Sequence, residues 1–301
     1  MNLSYHLHRG VGHLPPSGLI IGSALSQYMG AALAISLFHA MHPASVAWCR
    51  VTVAAVILVA WRRPWQSGIT WADFARSTLF GITILTMNAA FYQALVTLPL
   101  GAAVSLEFVG PVAVAVLSGR GWSVRVAALL ACVGVACIGG LGVDTGDPAV
   151  ISGLLWAGLS GLSWACYIVL GRKIAAKRSA VTNLALGCAG ACLVYAPFLG
   201  SGAGVAFYDV SLLLSVILVG VLSTALPFTL EAVAMTRLSA STFSLLAALE
   251  PATSAVIGAF LLRQVPTIGQ LVGLVCISVA VWLASRQDVP SGQSSSSGTE
   301  V

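Results

Sequence analysis

The chain has 301 residues, of which 58% are hydrophobic and only 8% charged, with a net charge of +5. A soluble globular domain carries roughly 25% charged residues, so composition excludes a soluble enzyme or a binding module of ordinary polarity. The basic residues lie one to four at a time between apolar runs, which excludes a nucleic-acid face and fits a membrane protein.

Taken in order, the chain opens with residues 1–17, "MNLSYHLHRGVGHLPPS". They lack the apolar core and small-residue cleavage site of a secretory signal, and read as a cytoplasmic N-terminal segment. Ten apolar runs follow, at about 18–40, 44–61, 74–95, 100–118, 122–140, 151–171, 181–200, 210–236, 239–262 and 267–285. Each approaches the roughly 20 apolar residues that a bilayer-spanning helix needs. The connections are short, down to "TLPL" at 97–100. Residues 286–301, with "SGQSSSSGTE", are low-complexity and read as a disordered cytoplasmic tail. The predicted fold is an all-α polytopic membrane protein.

Sorting Lys and Arg by alternate sides of these runs places Arg9, Arg62, Arg63, Arg76, Arg120, Arg125, Arg172, Lys173, Lys177, Arg178, Arg237 and Arg286 on one side. Only Arg263 falls on the other, with the loop acids Asp144, Asp147 and Asp209. The positive-inside rule then predicts both termini in the cytoplasm. The two halves also resemble each other. Shifted by 140 positions, "ALVTLPLGAAVSLEFVGPVAVAV" (94–116) meets "AMTRLSASTFSLLAALEPATSAV" (234–256). Ala94, Leu98, Pro111, Ala115 and Val116 then fall on identical residues. A duplicated unit of five spans inserts in opposite orientations, because five is odd. Ten helices as two inverted repeats, 18–140 and 151–285, are therefore expected, with a binding site near the midplane where they meet.

Four ionisable residues lie within spans: Arg50, Glu107, Glu231 and Glu250. Such residues are rare in membranes and face a cavity or a partner. Prolines accompany the acids. A proline lacks its N–H and clashes with the carbonyl four residues back, so Pro111 frees the carbonyl of Glu107, and Pro251 frees that of Ala247. Pro227 in "STALPFTLE" adds a third break, near Glu231. Unpaired backbone at membrane depth is tolerated only where protein or water covers it; the alternative is that these prolines only shape packing. Gln27, Asn88, Tyr92, Trp164 and Tyr167 are polar or aromatic groups within spans, either lining a cavity or packed in the core. Asn88 and Tyr92, four apart, share a helical face. Arg50 offers a cation for a carboxylate or a partner for a glutamate. A desolvated Glu107 or Glu250 could accept a proton.

No metal ligand set or cofactor motif is present. The seven cysteines lie within apolar runs and read as small packing residues. "GLSG" at 158–161 matches the G-x-S-G of intramembrane serine proteases. That chemistry needs a histidine base, and all five histidines, His6, His8, His13, His39 and His42, lie at or before the exit of the first span. No catalytic residue is assigned. With no P-loop for ATP, uphill work would draw on an ion gradient or on exchange, with protons the candidate coupling ion. A non-transporting membrane sensor is a further alternative, but it needs neither a duplicated core nor buried carboxylates.

The stretches "GSALSQYMGAALAISLF" (22–38), "MNAAFYQALVTLPLGAAVSLEFVGP" (87–111), "GLSWACYIVLGRK" (161–173) and "LSTALPFTLEAVAMTRLSASTFSLLAALEPA" (222–252) resemble the EamA-type transporters of the drug/metabolite transporter superfamily. Within it they resemble the threonine/homoserine exporter subgroup. The resemblance covers about residues 18 to 285. It implies ten helices around a central cavity in a bacterial inner membrane, and export of small amino acids and related metabolites. An exporter of another metabolite, an aromatic amino acid or a drug is the alternative. The chain reads "TRLS" before its ninth run, where these exporters commonly carry an arginine pair.

Overall fold

The computed structural model describes residues 15–118, 121–138, 146–174, 180–235 and 249–285. Among them the secondary structure is helical, without strands. In chain order the helices are α1 (Pro16–Ser36), α2 (Pro43–Arg62), α3 (Trp71–Ala94), α4 (Leu100–Glu107), α5 (Val109–Ser118), α6 (Trp122–Ala136), α7 (Pro148–Ile174), α8 (Ala180–Ala203), α9 (Val210–Gly220), α10 (Leu226–Met235), α11 (Glu250–Leu261) and α12 (Ile268–Ser285). Among the described residues five helical segments are long and apolar enough to cross a membrane: Gly18–His39, Pro43–Gln66, Pro148–Leu170, Val181–Phe207 and Val210–Glu231. Leu100–Val114, Trp122–Ala136 and Ile268–Leu283 are shorter apolar helices. Residues 239–248 of the expected ninth run lie outside the described residues. So do Arg237, residues 1–14 and the tail from Arg286.

Local sequence explains where helices begin. Pro16 and Pro43 open α1 and α2 at the first turn, where a missing N–H costs nothing. Thr70 and Asp73 form a reciprocal capping box on α3. Asp209 accepts the Ser211 N–H at 2.8 Å at the start of α9. The long eighth run is continuous in sequence but not in form. One π-helical turn, Val221–Ala225, separates α9 from α10. The fourth run is likewise interrupted at Phe108, between α4 and α5.

The halves of the chain are interleaved. Among the described residues the five most extensive helix pairings are α3 with α7, α3 with α8, α2 with α8, α6 with α12, and α1 with α10, and every one joins the first half to the second. Between α6 and α12 the contact is reciprocal. A Cβ on Gly134 would strike the Ile277 side chain and the Gly273 carbonyl; a Cβ on Gly273 would strike the Ile138 side chain and the Gly134 carbonyl. Both pairs, Gly134/Gly273 and Ile138/Ile277, are 139 positions apart. Small residues let backbones approach this closely in membranes, where dispersion rather than the hydrophobic effect holds helices together. The core is apolar, with Leu58, Leu85, Tyr92, Leu100, Ile138 and Ile277 fully buried. Large apolar side chains also face outward, among them Leu117, Leu155, Phe198, Leu214 and Phe260. A soluble surface would not carry such a belt; a lipid-facing one needs it. Cys49, Cys188 and Cys192 are buried as expected of packing residues, whereas Cys132 and Cys166 face outward.

Candidate functional site: a polar centre on broken helices

The π-helical turn is the first feature of the site. Pro227 has no N–H, so the carbonyl of Ser223, four residues back, loses its ordinary helical donor. Arg50 of α2 supplies one instead. Its Nη2 donates to the Ser223 carbonyl at 2.6 Å, its Nε to Thr224 Oγ1 at 2.6 Å, and its Nη1 to the Tyr92 hydroxyl at 3.3 Å. The guanidinium lies 5.4 Å from the centroid of the Tyr92 ring. Arg50 is only 5% exposed. Its planar fork is suited to holding several fixed acceptors at once. From the other side α1 closes on the same turn at Gly30, where a Cβ would stand 2.8 Å from the Ser223 nitrogen. Tyr92 is fully buried, tilted against Phe38 and Phe91.

The three glutamates meet hydroxyls rather than cations. Glu107, buried at the end of α4, lies 2.5 Å from the Ser160 hydroxyl of α7. The same hydroxyl lies 2.9 Å from the Met87 carbonyl of α3. Glu231, part-buried on α10, accepts from the Ser23 hydroxyl of α1 at 2.7 Å, and that hydroxyl is 3.3 Å from the Pro227 carbonyl. Glu250, at the first position of α11 and part-buried, accepts from the Tyr28 hydroxyl of α1 at 3.0 Å. Arg50 is within electrostatic reach of Glu107, and Glu250 within reach of both Glu231 and Glu107. A carboxyl taken out of water is costly unless it is paired, hydrogen-bonded or neutral. The elements that bear these groups are therefore tied together by them.

The break after Glu107 is covered by backbone. A Cβ on Gly161 of α7 would lie 2.9 Å from the Glu107 carbonyl, and one on Gly110 would overlap the Gly161 carbonyl. The carbonyl that Pro111 leaves without its helical donor is thus packed against glycine, away from lipid. Pro251 opens α11 at its first turn; its partner carbonyl, at Ala247, lies outside the described residues. Among the other expected residues, Asn88 is buried and donates to the Ile84 carbonyl of its own helix at 2.7 Å. Trp164 packs edge-on against Phe108, and Tyr167 stacks on Phe80. Gln27 is half-buried on α1, beside Tyr28. An apolar cleft of about 380 Å³ opens between α5, α6 and α7, lined by Val109, Ala113, Val135, Leu154 and Leu162 among others. Its lining suits hydrocarbon, whereas the charged and hydroxyl groups of the polar centre suit a zwitterion.

Ser23, Tyr28, Ser160, Ser223 and Thr224 were not singled out from sequence. All five lie inside stretches read for other reasons, Ser23 and Tyr28 in one, Ser223 and Thr224 at the start of "STALPFTLE", and Ser160 in a third. Ser160 is the serine of "GLSG", and Tyr28 follows Gln27 in "SALSQYMGAA". The signal available was a hydroxyl at mid-span; serine and threonine are too common in apolar helices for that to select one.

Residues 151–286 match the EamA-like transporter family. The threonine/homoserine exporter RhtA of Escherichia coli (strain K12) is 35% identical over 265 residues, covering 88% of this chain and 89% of the relative. The chain belongs to this transporter family. The RhtA of Salmonella typhimurium (strain LT2) is 35% identical over 267 residues, 89% of this chain and 90% of its own. A protein of known crystal structure, 21% identical, superposes with a TM-score of 0.56 over 91% of this chain and 99% of its own. That likeness concerns the fold alone. Membership, the apolar helices and their outward belt make the protein a multi-pass membrane transporter.

Proposed function

We propose that the protein is a secondary exporter of small amino acids of the threonine/homoserine type, residing in a bacterial inner membrane with both termini in the cytoplasm. It has ten spans arranged as two inverted five-helix repeats, and works by alternating access around the polar centre. The observation that carries the substrate class is the 35% identity to threonine/homoserine exporters over nearly the whole chain. The repeat is supported by the reciprocal α6–α12 contact at a spacing of 139, close to the 140 of the sequence alignment. It is also supported by the family match, which spans the second five-helix unit alone.

An amino acid offers an ammonium and a carboxylate. Glu250 takes the ammonium in this reading, which its partial burial and its contact with the Tyr28 hydroxyl support. Arg50 has its donors engaged by the π-helical turn and Tyr92, which supports the organising role over direct binding of the substrate carboxylate. Protons are the coupling ion best matched to three carboxyls that face hydroxyls. The test is efflux of radiolabelled substrates from cells expressing the protein, across a panel of amino acids, aromatic amino acids and drugs. Accelerated efflux of threonine and homoserine is expected. Efflux confined to aromatic amino acids, other metabolites or drugs replaces the substrate class and leaves the transporter reading intact.

A further inference from the structure

Each of two serine hydroxyls stands between a carboxyl and a backbone carbonyl, and a hydroxyl has one hydrogen to give. Ser160 faces Glu107 and the Met87 carbonyl; Ser23 faces Glu231 and the Pro227 carbonyl. If the carboxyl is ionised, the serine must choose between two acceptors. If it is protonated, both contacts are filled in sequence: the carboxyl O–H donates to the serine oxygen, and the serine O–H donates to the carbonyl. The arrangement occurs twice, with the serines and the carbonyls on matched runs and the carboxyls on different ones, Glu107 in the fourth and Glu231 in the eighth. Met87 and Pro227 are 140 positions apart, the offset of the sequence repeat, and Ser23 and Ser160 sit in the first and sixth apolar runs.

Charge sets how many protons the centre needs, and the serine–carbonyl geometry sets where they sit. Around Glu107 stand Arg50 of α2, Tyr28 of α1 and Glu250 of α11; around Glu231 stand Tyr28, Tyr167 of α7 and Glu250. Among the described residues this centre holds one guanidinium and three carboxyls. One buried and two part-buried negative charges against one positive would be costly in a membrane interior. Two protons bring the centre to neutrality. Among the described residues Glu250 has no serine–carbonyl arrangement; its partner there is the Tyr28 hydroxyl.

We infer that Ser160 and Ser23 are positioning residues that hold a proton on Glu107 and on Glu231, leaving Glu250 as the one ionised carboxyl of the polar centre. The proton on Glu107 also ties one helix pairing between the halves, Ser160 linking α7 to α3, whereas Ser23 links α1 to α10 in either state because Glu231 and Pro227 both lie on α10. When the proton leaves Glu107, the Ser160 hydrogen turns to the carboxylate and releases the Met87 carbonyl. Loss of the proton from Glu231 releases Pro227 in the same way. Protonation and helix contact are thereby coupled at Ser160, whose two acceptors lie on different helices. This deepens the proposed alternating-access reading and rests on it for its use in transport, but the proton assignment itself is tested without substrate.

The experiment is infrared difference spectroscopy on the purified full-length protein in lipid nanodiscs at neutral pH, following the carbonyl stretch of protonated carboxyl groups. The wild type is expected to show it. Glu107→Gln and Glu231→Gln should each remove one component, and Glu250→Gln should remove none. Ser160→Ala should diminish the Glu107 component and Ser160→Thr restore it, with Ser23→Ala and Ser23→Thr acting likewise on the Glu231 component. A wild type without the band, a component lost with Glu250→Gln, or a Ser160→Ala band undiminished would overturn the inference. Should Ser160→Ala fail to fold, the wild type and the three Gln variants still decide it. A failed efflux panel with the expected spectra would count against the substrate class and not against the protons.

Discussion

Where α6 meets α12, Gly134, Ile138, Gly273 and Ile277 interlock through backbone and hydrocarbon alone. Where α1, α2 and α10 meet, the contact is made by Arg50, Ser23, Ser223, Thr224 and Glu231. The first kind of contact costs nothing to desolvate and depends on shape, so a single added side chain destroys it. The second demands that every donor find an acceptor, so it yields only particular arrangements and can exchange one for another. Contacts of the first kind are fixed by shape, whereas those of the second hold the helices together and can still rearrange.

Four substitutions sharpen that contrast, ordered by their effect on thermal stability of the purified protein. Gly134→Leu should do most. Its side chain has no room against Ile277 and the Gly273 backbone, and overpacking of this kind costs about 3 kcal/mol or more. Loss of the monodisperse peak on size-exclusion chromatography is expected; a stable, well-folded variant would show the seam to be looser than its geometry. Arg50→Ala comes next, removing three hydrogen bonds from the π-helical turn and its neighbour, with a loss of about 2–3 kcal/mol, since bonds to a charged group count for more than neutral ones. If stability were instead unchanged and only substrate affinity fell, Arg50 would be a substrate ligand and not a lock.

Trp48→Phe removes the 2.9 Å bond from the indole N–H to the Cys192 carbonyl between α2 and α8. A loss of about 1 kcal/mol is expected, readable as a lowered melting temperature with export retained. Glu250→Gln should change stability least, because an amide still accepts from Tyr28. Export measured in proteoliposomes should nevertheless be abolished. Full export by this variant would remove Glu250 from the transport site. In proteoliposomes containing wild type, an inward proton gradient should accelerate substrate exit, and a protonophore should cancel that gain; indifference to both would exclude proton coupling.

The helix order was largely legible in the sequence. Nine of the ten apolar runs coincide with helices over most of their length, and the remaining one, the ninth at 239–262, does so from Glu250. The positions of the helix breaks were legible too, since Pro111 and Pro227 act on carbonyls at a fixed distance along the chain. The form of one break was not: nothing in "VLSTALPF" distinguishes a π-helical turn from a simple kink. The partners of the ionisable residues were equally hidden. Glu107 and Arg50 were identified as groups that needed partners, but Ser160 and the Ser223 carbonyl lie 53 and 173 residues away.

The sequence by itself determined the membrane class, the approximate helix limits and which residues would be expensive to bury, because length, hydropathy and charge are properties of a local segment. Only the tertiary structure decided that the halves interleave, that Arg50 clamps α10's entry and that each of two serines stands between a carboxyl and a carbonyl. The physical reason lies in the solvent. A helix among lipids is apolar on every side, so no hydrophobic face announces its neighbour. Neighbours are chosen instead by glycine-sized gaps and by single donors meeting single acceptors, and those matches exist only once the helices are side by side.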